Sequence, residues 1–188
     1  MEKLVTYNMM IEANGHRFGG DSEHWIYLTN LKAYNESVLL GVYLHFPFDS
    51  DDLDTAYKAI YIGNEFVDEY GYPYEEYFIT DYDAPFSIEE YDSPRLLAEK
   101  YDSLEEYMGY PDEVIRVVVE DSNADINIIE LDNTEMNDYE KLGYALVDSG
   151  YYDIPEHLTN YIDYESIGRE YELNASGSFI LNYYIEIL

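Results

Sequence analysis

Carboxylates run from one end of this chain to the other, 41 Asp and Glu against 9 Lys and Arg in 188 residues, and no single tail holds them. A formal charge of -32 cannot be cancelled by internal pairing, so any fold must turn most of these groups to water and tolerate their mutual repulsion. The core has to come from the remainder, which is unusual in holding 24 Tyr. Acidic chains that stay disordered are poor in aromatic and apolar residues. This one is 17% aromatic and 47% apolar, enough to bury a core at this length, and it reads as folded.

The same charge excludes whole classes of function. Binding nucleic acid through its phosphates needs a basic surface, and an anionic membrane surface repels an acidic protein. With no Cys there is no disulfide, no thiolate zinc site and no cysteine nucleophile. MEKLVTYNMMIEANGHRFGG lacks the layout of a secretory signal, and no apolar run approaches bilayer length. A soluble protein of the reducing cytoplasm is expected.

Residues 1–24 hold Gly15, Gly19 and Gly20 with little periodicity and are expected to form a loosely attached arm. Trp25 to Asn30 and Val38 to Phe48 read as paired strands joined by a turn at LKAYNES. Leu53, Tyr57 and Ile60 give a short helix ended by Gly63, with Asp51, Asp52 and Asp54 in its first turn, and Tyr77 to Tyr82 gives a third strand. Ser93, Pro94 and Gly109 bracket a helix from Pro94 to Met108 that packs Leu97, Tyr101, Leu104 and Met108 on one face. Residues 111–123 combine a helix start at Pro111 with Val-rich strand character. INIIEL reads as a strand, and Asp132 with Glu135 as a capping box opening a helix through Met136, Tyr139, Gly143 and Leu146. A helix from about Pro155 to Tyr171 and a final strand in SFILNYYIEIL complete the pattern.

Chemistry is hard to locate. With this many acids, a carboxylate pair carries no information about acid-base catalysis. Phosphate-cradling loops, HExxH and GxSxG are absent from the sequence, and His16, His24, His45 and His157 show no ligand spacing. His45, in a strand, and His157, in a helix, are expected to be hydrogen-bonded structural residues. Asp121, Asn123 and Asp125 open like an EF-hand loop, but Ile126 stands where the turn Gly belongs and Asp132 where the Glu belongs. Asp49, Asp51, Asp52 and Asp54 also lack that Gly and suit a helix N-terminus instead. No metal or cofactor is expected.

What remains is the charge itself. On a helix rising 1.5 Å per residue, Glu99, Asp102 and Glu106 stand about 4.5 and 6 Å apart, and Glu156, Asp163 and Glu170 recur every seven residues on one face. DNA places a phosphate about every 3.4 Å along each strand, a comparable pitch, so a rigid acidic face could occupy a basic DNA-binding groove. Halophilic adaptation also accumulates acids, although the Tyr content argues against it.

Three blocks, WIYLTNLKAYNESVLLGVYLHFP, EEYFITDYDAPFSIEEYDS and IPEHLTNYIDYESIGREY, resemble the ArdA antirestriction proteins of mobile elements and phages, the last being the most specific. The resemblance spans roughly residues 25 to 188. It implies an α+β protein, an elongated and curved chain of small acidic domains built from antiparallel sheets with packed helices: 25–90, a central helical 91–124, and 125–188. It turns 111–121 helical. It also implies a homodimer that mimics bent B-form DNA and fills the groove formed by the methyltransferase core and specificity subunit of a type I restriction-modification enzyme in the bacterial cytoplasm. The mimicking surface would comprise Asp51, Asp52 and Asp54, then Glu99, Asp102, Glu105 and Glu106, then Glu135 and Asp138, and finally Glu156, Asp163, Glu165, Glu170 and Glu172. The dimer contact would map onto Tyr144, Ala145, Leu146, Val147, Tyr151 and Tyr152. Against this non-enzymatic inhibitor stand an acidic module for another basic DNA-binding protein and, further back, a calcium-binding or hydrolytic domain.

Overall fold

The computed structural model describes residues 2–120, 125–131 and 135–188. Contacts divide the chain into two compact units, residues 1–109 and 110–188. In chain order the first comprises β1 (Lys3–Leu4), α1 (Tyr7–Ala13), β2 (Arg17–Gly19), β3 (Trp25–Asn30), α2 (Leu31–Asn35), β4 (Gly41–His45), α3 (Ser50–Ala59), β5 (Gly63–Val67), β6 (Pro73–Tyr74), β7 (Tyr77–Asp83) and α4 (Pro94–Asp102). The second comprises α5 (Asp112–Glu120), β8 (Ile126–Glu130), α6 (Asp138–Asp148), α7 (Tyr164–Asn174), β9 (Gly177–Ile180) and β10 (Tyr183–Ile187). Among the described residues the architecture is α+β with mixed and antiparallel sheets.

The first unit is organised by β3, which pairs antiparallel with β4 on one side and β7 on the other. A central strand covered on both faces reads as a continuous apolar run, and Ile26 to Asn30 are all buried. Ile26, Leu28, Val42, Leu44 and Phe46 are fully buried. Phe46 stacks on Tyr101 of α4 at 4.5 Å, and the Tyr101 hydroxyl shares hydrogen bonds with Ser22 (2.8 Å) and His24 (3.0 Å).

Residues 3–19 pair with the rest of the first unit rather than forming the loose arm expected of this stretch. β2 pairs parallel with β4, β1 pairs parallel with β5, and α1 lies between them, with Met10 buried. Strands of two and three residues leave no periodicity to read. Several boundaries also differ from expectation. The expected turn at LKAYNES is confined to Glu36 and Ser37, and Leu31–Asn35 before it form the short helix α2, capped by the Asn30 side chain. α4 stops at Asp102, where the chain tightens to i→i+3 bonding and continues as a 3₁₀ turn over Glu105–Tyr107. Asp132 lies outside the described residues, and α6 begins later than expected, with Asn137 accepting from the Glu140 amide as its cap.

The expected Pro155 to Tyr171 helix is a 3₁₀ turn (Glu156–Tyr161) followed by α7, which Asp163 caps and which runs on to Asn174. The terminal strand is a hairpin, β9 and β10, turning at Leu181 with φ 53°. Residues 112–120 are helical, because Val114, Ile115 and Val118 fall on one buried face at helical spacing and this outweighs Val propensity.

The second unit is a β8-β10-β9 sheet with α6 and α7 packed as a pair. Leu131, Leu142, Leu146, Tyr171 and Tyr184 form its core. Gly143 and Gly168 face each other where α6 meets α7, so closely that a Cβ on Gly143 would strike the Tyr164 carbonyl and one on Gly168 the Tyr139 carbonyl.

Candidate acidic interaction surface

The predicted carboxylates fall into three groups. At the start of α3, Asp49 accepts from the Asp51 and Asp52 amides at 2.8 and 2.9 Å while Asp52 accepts from the Asp49 amide, a complete capping box. Asp52 is thus partly committed to the helix, whereas Asp51 and Asp54 are exposed. On α4, Glu99 and Asp102 are exposed, and with Asp49 and Arg95 they border a groove of about 320 Å³ between α3 and α4. The structure therefore gathers two clusters that are far apart in sequence. Glu105 and Glu106 are exposed on the 3₁₀ turn, so Glu106 does not continue the straight line expected from Glu99 and Asp102.

The third group surrounds α6 and α7. Glu135 and Asp138 are exposed, and Asp138 lies 3.6 Å from Lys141. Asp163 caps α7 by accepting from the Ser166 amide (3.0 Å) and hydroxyl (2.8 Å), and these donors hold its carboxyl below the usual range. Glu165 accepts from Arg169 at 2.6 and 3.0 Å and from Asn137, which likewise lowers its pKa. Glu170 is exposed and Glu172 half-buried. Glu156 opens the separate 3₁₀ turn and its side chain lies outside the described set, so the expected seven-residue stripe on one helix does not form.

Several of the scarce cations lie against aromatic rings. Lys32 lies 2.6 Å from Asp68 and 4.7 Å above the Tyr74 ring, Lys100 lies 4.5 Å above Phe86, and Arg169 lies 4.3 Å above Tyr139 while bound to Glu165. Cation–π contact keeps the charge but ties it to the protein's own aromatic faces, leaving exposed carboxylates to dominate the field. The sequence gives no periodic sign of this arrangement.

Of the predicted pairing residues, Tyr144, Ala145, Leu146 and Tyr151 line a groove of about 440 Å³ beside β8, whose outer edge has no strand partner among the described residues. Leu146 is only 2% exposed and belongs to the core, so its side chain is already satisfied within one chain. Val147 is half-buried, and Tyr151 and Tyr152 are exposed and meet edge to face at 5.0 Å.

His45 fits its structural assignment, its Nδ1 lying 2.8 Å from the Ser22 carbonyl oxygen. His157 instead is exposed on a 3₁₀ turn. Asp121, Asn123 and Asp132 of the EF-hand-like stretch lie outside the described residues, among which no group of three or more His, Cys, Asp or Glu is placed to hold a metal. No described helix is long and apolar enough to cross a membrane.

A family model for antirestriction protein (ArdA) matches residues 26–186. The chain belongs to the ArdA antirestriction family. Curated proteins give no match to it. Membership makes it an inhibitor-type protein directed at type I restriction-modification enzymes. The ArdA match begins within β3, so β1, α1 and β2 precede it.

Proposed function

We propose that this chain inhibits type I restriction-modification enzymes as a DNA mimic, entering the basic groove that the methyltransferase core and specificity subunit offer to DNA, and that it does so as a homodimer in the bacterial cytoplasm without metal, cofactor or catalysis. The observation that carries the mechanism is the excess of exposed carboxylates at the α3–α4 groove, where Asp49, Glu99 and Asp102 outnumber Arg95, while Lys32, Lys100 and Arg169 are held against aromatic rings. Counterion release and phosphate contacts give a basic groove much of its affinity for DNA, and an acidic surface competes for the same groups. The capping carboxylates Asp52 and Asp163 contribute by fixing helix ends as well as by charge, and Glu165 by its pairing with Arg169 and Asn137. Tyr144, Ala145 and Tyr151, which line the groove beside β8, together with Val147 and Tyr152, are the pairing face. The finer division at residues 90 and 124, and an elongated, curved dimer, belong to the same reading.

Competition with target DNA on a purified type I methyltransferase tests it. Inhibition should be relieved by added DNA. Glu99→Gln and Asp102→Asn should each weaken it only slightly, while further neutralisation at Asp51, Asp54, Glu105 and Glu106 should produce a progressive loss, because each exposed carboxylate adds a small, screened contribution. Inhibition indifferent to DNA concentration, or abolished by one such change in a folded protein, defeats the mechanism. Tyr151→Arg should yield monomers in analytical ultracentrifugation, and an unchanged sedimentation coefficient removes this face from the interface.

A further inference from the structure

The first unit contains a second acidic site of a different kind. A cavity of about 600 Å³ is bounded by Leu4, Tyr7 and Met10 on one side and by Glu36, Asp68, Glu69, Tyr70 and Tyr74 on the other. Its first wall precedes the segment matched to the ArdA family, so the cavity exists only because residues 3–13 fold back onto the family domain.

Three features define what it accepts. Tyr7 and Tyr70 are 64% and 76% exposed, large aromatic surfaces left in water at the rim. Glu36, Asp68 and Glu69 surround them, and all three act on the Tyr74 hydroxyl, pushing it up to about 12 together with burial, which is the larger cause. Tyr74 itself is only 2% exposed and forms part of the cavity wall. The chain also shows which group suits these walls. Lys32, which is not among the lining residues, sets its ammonium against Asp68 and the Tyr74 ring.

We propose that this cavity binds the Lys or Arg side chain of an extended basic segment on a partner protein. An aromatic face beside carboxylates favours a cation over a neutral group, and Arg suits it best because its planar guanidinium stacks on a ring and donates to carboxylates together. The Tyr74 hydroxyl would accept from the bound cation. DNA is excluded by charge, and a second copy of this chain is a poor occupant because it carries the same excess of acid. The site needs a basic partner but neither DNA mimicry nor the α3–α4 groove.

The test uses the full chain and a short probe, acetyl-Gly-Arg-Gly-amide, with citrulline in place of Arg as the uncharged control. Titration followed by amide chemical shifts should give saturable changes confined to Leu4, Tyr7, Glu69, Tyr70 and their neighbours, absent with citrulline. Tyr70→Ala removes an exposed ring and should raise the dissociation constant roughly two- to fivefold. Tyr74→Phe retains the buried ring and should also weaken binding, and unchanged shifts elsewhere establish that each variant folds. Non-saturable shifts spread over all the carboxylates, equal shifts with citrulline, or Arg binding unaffected by both variants overturn the proposal. Since no restriction enzyme is present, this outcome and that of the DNA competition are independent.

Discussion

The closest approach of two helices supplies the sharpest stability prediction. Gly168→Ala places a methyl group on the Tyr139 carbonyl, and the same Cβ would lie only 3.0 Å from the Gly143 nitrogen. Both neighbours are backbone atoms, so no side chain can swing aside. Ordinary contact between non-bonded heavy atoms is about 3.5–4.0 Å, so α6 and α7 must part by on the order of 1 Å or more, opening the core around Leu142, Leu146 and Tyr171. Overpacking of this kind costs about 1–3 kcal/mol, and a backbone clash belongs at the upper end. Replacing Gly by Ala within a helix returns about 1 kcal/mol. The net loss is about 2 kcal/mol, which at a urea dependence of about 2 kcal/mol per molar moves the midpoint down by about 1 M. Gly109→Ala is the opposing control: its Cβ would meet nothing within 4 Å, and the change should be neutral or stabilising by up to about 1 kcal/mol. Urea unfolding followed by circular dichroism, with amide exchange in α6 and α7, measures both. A Gly168→Ala protein as resistant to urea as the parent would refute the close-packed seam.

Three further outcomes follow from charge and ionisation. Added salt should stabilise the fold by screening self-repulsion while weakening inhibition by screening attraction to the basic groove, so melting temperature and inhibitory potency should move in opposite directions in one salt series. Asp163 has a lowered pKa in the folded chain, so its contribution is present above the unfolded value near 4 and disappears as pH falls through the folded value. Asp163→Asn, which keeps a capping oxygen, should therefore flatten the acid limb of a pH-stability curve below about pH 4. Tyr74 has a raised pKa of about 12, so its contribution is intact below the ordinary phenol value near 10 and is lost as pH climbs through the folded value. Tyr74→Phe should unfold less readily in alkali, measured by denaturation between pH 9 and 12.

Legibility in the sequence tracked the range of the interaction responsible. Leu97, Tyr101 and Leu104 announce their shared buried face through local spacing alone, and Pro94 marks the start of α4. The end of α4 at Asp102 was hidden, because the preference for i→i+3 bonding past Ser103 leaves the apolar spacing intact. That break also undid the straight carboxylate ridge inferred from an ideal helix. β1 and β2 were invisible because their partners, β5 and β4, are distant in the chain and each strand is too short to alternate. Gly168 stood inside the most specific sequence block, yet its reason lies in α6, at Gly143. The gathering of Lys32 and Arg169 onto aromatic rings likewise depends on residues brought together only by folding.

The parallel pairing of β2 with β4 also bears on how such a protein can be trimmed or produced. Gly15 and Gly20 donate to the Gly41 and His45 carbonyls, and Tyr43 donates to the His16 carbonyl, so the residues before Trp25 occupy the whole outer edge of β4. Behind that edge stand Val42 and Leu44, both fully buried. A fragment cut back to the segment matched by the family would present a bare strand carrying apolar side chains, the kind of edge on which another chain can add and begin an aggregate. The leading segment thus acts as a built-in sheath: β2 denies another chain the β4 edge as a template.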